Sequence, residues 1–328
     1  MKIGKLKSSE LEKYVLKNIK ALRNEVLIRG GTGIDTAVLD FDGDLIVTST
    51  DPITGASKNI GNLSINISVN DICCQGADPV GVLLTVLLPT DAEIEDLELI
   101  IKDCNKTCEK LNLEIIGGHT EVTDAVSKII ISTTVLGRVN IKHIPKVDQV
   151  QEGDIVAISK YIGIEGSSII YHDLYDEQKI LSKNEKKFAN ELNNFISVME
   201  ESKLASYYNV KYMHDITEGG IYGAIWESSK AINMGIDIDK NKIPILDLTR
   251  KLCEYYKINP YKLISSGSML MIFNPKDYNE FKKEASFTNI KVTEIGSITN
   301  TNLPRVIDGN KFILLTDPEP DELYRIII

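Results

Sequence analysis

A chain of 328 residues is long for a single hydrophobic core, so two domains are expected. Hydrophobic residues make up 43% and charged residues 26%, a globular balance that excludes extensive disorder, and with 6% aromatics the core must be aliphatic. The net charge of −10 and an isoelectric point near 5.1 exclude a nucleic-acid partner that needs clustered cations, because the lysines are dispersed and Lys183–Lys187 is offset by Glu185.

No stretch approaches the ~20 apolar residues of a membrane span. Val80–Leu88 is the most apolar run and reads as a buried strand. Met1–Lys7 carries three lysines with no apolar run behind them, which argues against a signal peptide. Cys73, Cys74, Cys104, Cys108 and Cys253 form neither a CxxC pair nor an even disulfide set. Buried thiols in a cytoplasmic protein are expected.

Ser9 to Glu12 reads as a capping box, with Leu11, Val15, Ile19 and Leu22 following at helical spacing up to the Gly30–Gly33 loop. Asp42-Gly43, between Ala37–Phe41 and Leu45–Ser49, is a hairpin signal. Leu63, Ile65, Ile67 and Val69 alternate like a strand, whereas Val69, Ile72, Cys73 and Gly76 fit a helix. A strand over Val80–Leu88 stops at Pro89, and Thr90 to Glu93 is a second capping box, opening a helix that runs through Leu111. Strands Glu114–Ile116 and Ile129–Leu136 flank a Gly117–Thr123 loop.

The pattern breaks around Lys142–Asp154, which divides the chain into an N-terminal domain, residues 1–145, and a C-terminal domain, residues 146–328. The second half reads as strand Ile155–Ser159, a Gly163–Gly166 turn into a helix, and a long charged helix over Lys183–Glu200. A His214–Gly220 loop then leads into a helix through Trp226. Pro244–Tyr256 supplies another helix, and strands follow at Met269–Phe273, Val292–Ile298 and Phe312–Leu315. Strands and helices mix without a regular βαβ rhythm, so the class is α+β.

Polar residues stand just past the apolar strands of the first half. Asp35 lies in Gly33–Val38, Asp51 ends Ile46–Thr50, Asn70-Asp71 lies within Ser68–Ala77, and Gly117-Gly118-His119-Thr120-Glu121 follows a strand. Carboxylates converging on one rim of a sheet call for a cation, and magnesium binds through one or two carboxylates plus substrate phosphates. Glycine-rich loops beside them let backbone N–H groups approach phosphate oxygens. Singly, each is more often a turn; four between Gly33 and Val122 favour a site.

The order and spacing of these motifs resemble the aminoimidazole ribonucleotide (AIR) synthase, PurM-like, superfamily. His214-Asp215-Ile216-Thr217-Glu218-Gly219-Gly220, Ile258-Asn259-Pro260 and Ser265-Ser266-Gly267 resemble the C-terminal domain of the same superfamily. Within it the chain is most similar to the hydrogenase-maturation HypE branch, through Thr50-Asp51-Pro52-Ile53-Thr54-Gly55 and Gly117–Thr123.

The resemblance implies N-terminal domains that pair into a homodimer around a shared β-barrel. It also implies ATP and magnesium as cofactors, an Asn70-Asp71 segment on a helix, and phosphorylation of an amide, carbonyl or phosphate oxygen. By position, Asp35, Asp51 and Asp71 are the metal and phosphate ligands. Gly33, Thr50, Asn70, Gly117, Gly118, Thr120 and Glu121 line the nucleotide, joined from the second half by Asp215, Gly219, Gly220, Ser266 and Gly267. Asp71 and His119 are the catalytic candidates. His119 stands where some relatives carry a carboxylate, and reads equally as an acid–base group or as a packed loop histidine.

One departure bears on the acceptor. HypE proteins take a carbamoyl group on a cysteine at their C-terminus, whereas Arg325-Ile326-Ile327-Ile328 contains none and the nearest cysteine in sequence is Cys253. The implied chemistry is therefore ATP-dependent oxygen activation with a different acceptor. Competing readings are a nucleotide-binding scaffold for a maturation factor, without turnover, and AIR synthase itself in purine biosynthesis.

Overall fold

The structure is a computed structural model that describes residues 4–5, 11–20, 22–28, 38–39, 45–54, 58–174, 180–288, 290–316, 318 and 320–326. The chain divides into two units, one of Met1–Cys73 with Ala77–Lys142, the other of Cys74–Gly76 with His143–Ile328.

The first unit contains β1 (Gly4–Lys5), β2 (Val26–Ile28), β3 (Val38–Leu39), β4 (Leu45–Ile53), α1 (Ile60–Cys73), β5 (Asp78–Leu88), α2 (Ile94–Leu111), β6 (Glu114–Val122) and β7 (Ile130–Val139). Five strands form an open sheet in the order β1-β6-β5-β7-β4, and β2 pairs with β3 apart from it. Strands β5 and β6 run parallel, and α2 supplies the crossover that parallel pairing needs. Along β7 half-buried and buried residues alternate, the period of a strand with one covered face. Helix α1 covers that face, lying on β4, β5 and β7 and against α2.

The ambiguous Leu63–Val69 stretch is thus a helix, as the resemblance implies. Its strand-like alternation arises because α1 is buried on nearly every side, polar residues included. Those residues find partners: Ser64 Oγ donates to the Gly61 carbonyl, Asn66 Nδ2 to the Asn62 carbonyl, and Ser68 Oγ to the Thr133 carbonyl.

Four local expectations are corrected. The cap of α2 is Glu93, three residues later than Thr90, because the Asp96 carboxylate accepts from the Glu93 N–H at 3.0 Å. The described arms of the expected Asp42-Gly43 hairpin pair elsewhere, β3 with β2 and β4 with β7; residues 40–44 lie outside the described residues. The first helix is shorter than its spacing suggests: a π turn over Leu11–Val15 and a 3-10 turn over Leu16–Asn18 give way to extended backbone at Ile19. The long charged helix is three pieces, treated next.

The second unit contains β8 (Ile155–Ser159), α3 (Ile164–Ile169), α4 (Lys183–Ala189), α5 (Met199–Ser206), β9 (Tyr212–Asp215), α6 (Gly220–Ile232), β10 (Gly235–Asp239), α7 (Asp247–Tyr256), β11 (Met269–Phe273), α8 (Pro275–Phe287), β12 (Val292–Thr299), β13 (Arg305–Asp308) and β14 (Lys311–Leu314). A 3-10 turn, Leu192–Phe195, separates α4 from α5. Leu192, Ile196 and Val198 are all buried, and offsets of four and two cannot place them on one face of a single helix. The seven strands run in the order β14-β13-β10-β12-β8-β11-β9. All of β11 is buried: Leu270 and Ile272 face a core with Ile225 and Ile238, Met269, Met271 and Phe273 a second with Val198 and Phe281. The mixed α+β class holds for both units. Among the described residues the five-stranded sheet is open, with β1 and β4 at its edges.

Candidate functional site

The first-unit site grows out of the pleat of β4. Val47, Ser49, Asp51 and Ile53 are less exposed than their neighbours and share one face, while Thr48, Thr50 and Pro52 share the other. On the first face the Ser49 hydroxyl donates to Asp71 Oδ2 at 2.7 Å, so the carboxylate of α1 is tied to the strand one pleat from Asp51. Asn70, beside Asp71 in sequence, is fully buried. Thr50 faces the other way and meets Thr134 hydroxyl to hydroxyl at 2.8 Å. Asp35 and Gly33 lie outside the described residues.

The Gly117–Glu121 segment is strand, not loop, forming the second half of β6 beside β5. Register places Asp51 opposite Thr133, Thr133 opposite Leu84, and Leu84 opposite Gly118, one row across four strands. Gly118 runs at φ +146°, and a Cβ there would stand 1.9 Å from the Leu84 carbonyl oxygen, so glycine is required. A register shift at Val82/Leu83 accommodates the pair Gly117-Gly118. His119 and Glu121 share the face of Thr50, with Nε2 of one 3.3 Å from Oε2 of the other. Thr120 is buried on the opposite face. The structure therefore joins Asp51, Asp71 and the Gly118 row, and sets Thr50, His119 and Glu121 on the other side of the sheet.

In the second unit a cluster gathers at one end of β9 and β11. Asp215 closes β9 and pairs with Met269, the first residue of β11, while the Ile216 N–H donates to the Ser268 carbonyl at 2.9 Å. Gly219 caps α6 in the left-handed region, and Gly220 follows at φ +60°, where a Cβ would meet the Leu263 and Tyr261 carbonyl oxygens at 2.7 Å. Ser266 is buried, and Gly267 follows at φ +105°. Asp215, Gly219, Gly220, Ser266 and Gly267 thus belong to one neighbourhood. Burial opposes a charge on His214, but the Glu227 carboxylate at 3.0 Å, with Asp215 nearby, outweighs it and raises its pKa.

Two further acids join this cluster that the motifs did not single out. Glu165, in the first turn of α3, is buried beside Ser266, Asp321 and Asp215; burial, helped by those two carboxylates, pushes it up to about 7. Asp321 is buried too. Its Oδ2 accepts from the Gly219 N–H at 2.7 Å and its Oδ1 from the Leu323 N–H at 2.9 Å, while burial raises its pKa against the pull of those bonds. The sequence signal for Glu165 is a lone charge in the apolar and small run Ile162–Ile170. Asp321 and Ser49 carry none, because their partners are distant in sequence.

The donor set near β4 suits a hard divalent cation. Asp51, Asp71 and the Ser49 hydroxyl offer oxygen alone, and two carboxylates are what magnesium takes when phosphates complete its shell. Among the described residues no three His, Cys, Asp or Glu side chains cluster as a metal site. The five cysteines are buried and outside any disulfide, and burial pushes the Cys104 thiol up to about 12, far from thiolate ligation.

Comparison with known proteins extends this picture. Residues 33–139 match the AIR synthase related protein N-terminal domain, and residues 151–309 match its C-terminal domain. A Methanocaldococcus jannaschii protein named for hydrogenase expression and formation is 31% identical over 284 residues, covering 84% of this chain and 81% of its own. Carbamoyl dehydratase HypE of Bradyrhizobium diazoefficiens is 26% identical over 266 residues, covering 78% and 74%. Among solved structures, hydrogenase maturation protein HypE in complex with ATP gives a TM-score of 0.76 at 20% identity, over 96% of this chain and 95% of that one, which shows a common fold. With both domains matched in order, the chain belongs to the AIR synthase related protein family, on its HypE branch.

Proposed function

We propose that this chain is a cytoplasmic, ATP-dependent enzyme of hydrogenase-maturation type that transfers a phosphoryl group from Mg·ATP to an amide, carbonyl or phosphate oxygen of its acceptor. The observation that supports it most is the Ser49–Asp71 hydrogen bond, which sets the α1 carboxylate beside the face of β4 that carries Asp51. The ATP complex of a HypE structure with the same fold supports the nucleotide.

In this reading Asp51 and Asp71, with Asp35, hold magnesium, which when bound neutralises charge on the phosphates. Ser49 fixes the rotamer of Asp71 by donating to Oδ2. Asn70, fully buried next to it, belongs with the nucleotide-lining residues. Gly118 keeps the strand backbone bare where any side chain would strike β5. Asp215, Gly219, Gly220, Ser266 and Gly267 form a second-unit contact site for nucleotide or acceptor. Thr50, His119 and Glu121 look onto the half-buried face of the sheet, alongside Thr85, Ser132 and Thr134. That face is where we place the homodimer contact, with His119 as an acid–base or interface residue.

The test is ADP release across a panel of carboxamide, carbamoyl and phosphate acceptors. Asp71→Asn is expected to lower turnover by roughly 10²-fold or more, the scale of losing one preorganised charge contact in phosphoryl transfer. Undiminished turnover in that variant would overturn the assignment. Binding of Mg·ATP with no ADP formed from any acceptor would instead favour the scaffold reading.

A further inference from the structure

The most unusual feature beyond the β4–α1 site is the buried acid cluster of the second unit. Glu165, Asp215 and Asp321 come from α3, β9 and the Asp321–Ile326 segment, and each is at least 95% buried. Among the described residues, neither Glu165 Oε2 nor Ser266 Oγ makes a hydrogen bond of ordinary geometry. Ser266 is set against the Glu165 carboxyl and favours its charged form, but that support is outweighed by burial, under which a carboxylic acid is tolerated better than a carboxylate.

The groups acting on Glu165 are Ser266 from the turn before β11, Asp215 from the end of β9, and Asp321. Asp321 in turn feels Glu218 from the loop before α6, and Tyr324 of its own segment stands near Glu218, Asp321 and Glu165. His214 is turned to Glu227, 3.0 Å away, and Arg325 to Glu322, 2.7 Å away. The set facing Glu165 is thus acidic or neutral.

Asp321 is also what fastens its segment. Its carboxylate takes the Gly219 N–H at the entrance to α6, and Glu322 accepts from the Asn259 N–H at 3.1 Å. We propose that Glu165 is the proton-binding element of a latch: protonated, it lets the Asp321 carboxylate sit against the start of α6, and on losing its proton it drives Asp321 and the segment Asp321–Ile326 away from Gly219. The proton leaves to solvent, no bond other than O–H breaks, and the displaced carboxylate exchanges backbone donors for water. This goes beyond the phosphoryl-transfer reading and does not depend on it.

The sign follows from linkage. The acid in the folded protein titrates near 7, above the ordinary 4.5, so the closed latch is intact below that lower value and is progressively weakened as pH rises towards neutrality. Between those two values a proton is lost on opening, so the opening equilibrium changes by up to about tenfold per pH unit there and levels off above about 7.

Hydrogen exchange on the full chain between about pH 5 and 7.5, corrected for intrinsic amide rates, reads this directly. Peptides covering Gly219 and Leu323–Ile326 should lose protection by about tenfold or more across that window, while β11 keeps its own. In Glu165→Gln the protection should be flat with pH. Identical pH dependence in wild type and Glu165→Gln, or flat protection in wild type, overturns the latch. Should Glu165→Gln fail to fold, Asp321→Asn serves in its place: the latch requires its pH dependence to vanish, and persistence of the wild-type curve contradicts it.

Discussion

At Gly118 geometry leaves one residue type possible. Its φ of +146° lies where L side chains rarely go, and the neighbouring Leu84 carbonyl oxygen would be 1.9 Å from a Cβ. Gly118→Ala should therefore cost about 2 kcal/mol or more, since both backbone strain and a clash with β5 oppose it. A urea midpoint equal to wild type would contradict this. The sequence flagged the same residue for another reason, as part of a phosphate-approaching loop, and the residue was legible while its physical role was not. Asp51 and Asp71 were legible because a carboxylate after an apolar run is visible in one dimension. Ser49 was not: nothing in Thr48-Ser49-Thr50 shows which hydroxyl reaches a helix 22 residues on. Glu165 and Asp321 were missed likewise, since a buried acid is recognised by what surrounds it, here Ser266 and Gly219.

Among elements, legibility followed how plainly the apolar positions mark one kind of structure. Strand β11 is readable as a short unbroken apolar run, and helix α2 because its buried positions keep a helical stripe, with the α2 cap displaced by three residues through the Glu93–Asp96 exchange. Helix α1 is not, because burial on all sides erases the 3.6-residue stripe and its serines and asparagines then mimic strand alternation. Strand β6 was cut short at Ile116 because consecutive glycines signal a turn, yet here they continue the ladder with a register shift. The Lys183–Glu200 stretch has helix-forming composition throughout, but Leu192, Ile196 and Val198 must all be buried and divide it. Local propensity names the residues of these elements; packing against the sheet decides where they begin and end.

The whole molecule follows the α+β reading, with two sheets, each in its own unit, and the motif order of its family. Its first-unit sheet is open, and one face carries the half-buried Thr85, Ser132, Thr134 and His119. A homodimer through that face is the assembly we propose, and light scattering should give twice the 36.5 kDa chain mass; a monomer at micromolar concentration would contradict it. We propose that Asp51 and Asp71 together hold the metal nucleotide. It is tested most directly by calorimetric titration of Mg·ATP into wild type, Asp51→Asn and Asp71→Asn, each verified as folded. Saturable binding is expected in wild type, with a loss of about tenfold or more in affinity for each variant, the scale of removing one charge-assisted contact. Wild-type affinity in both variants would contradict it.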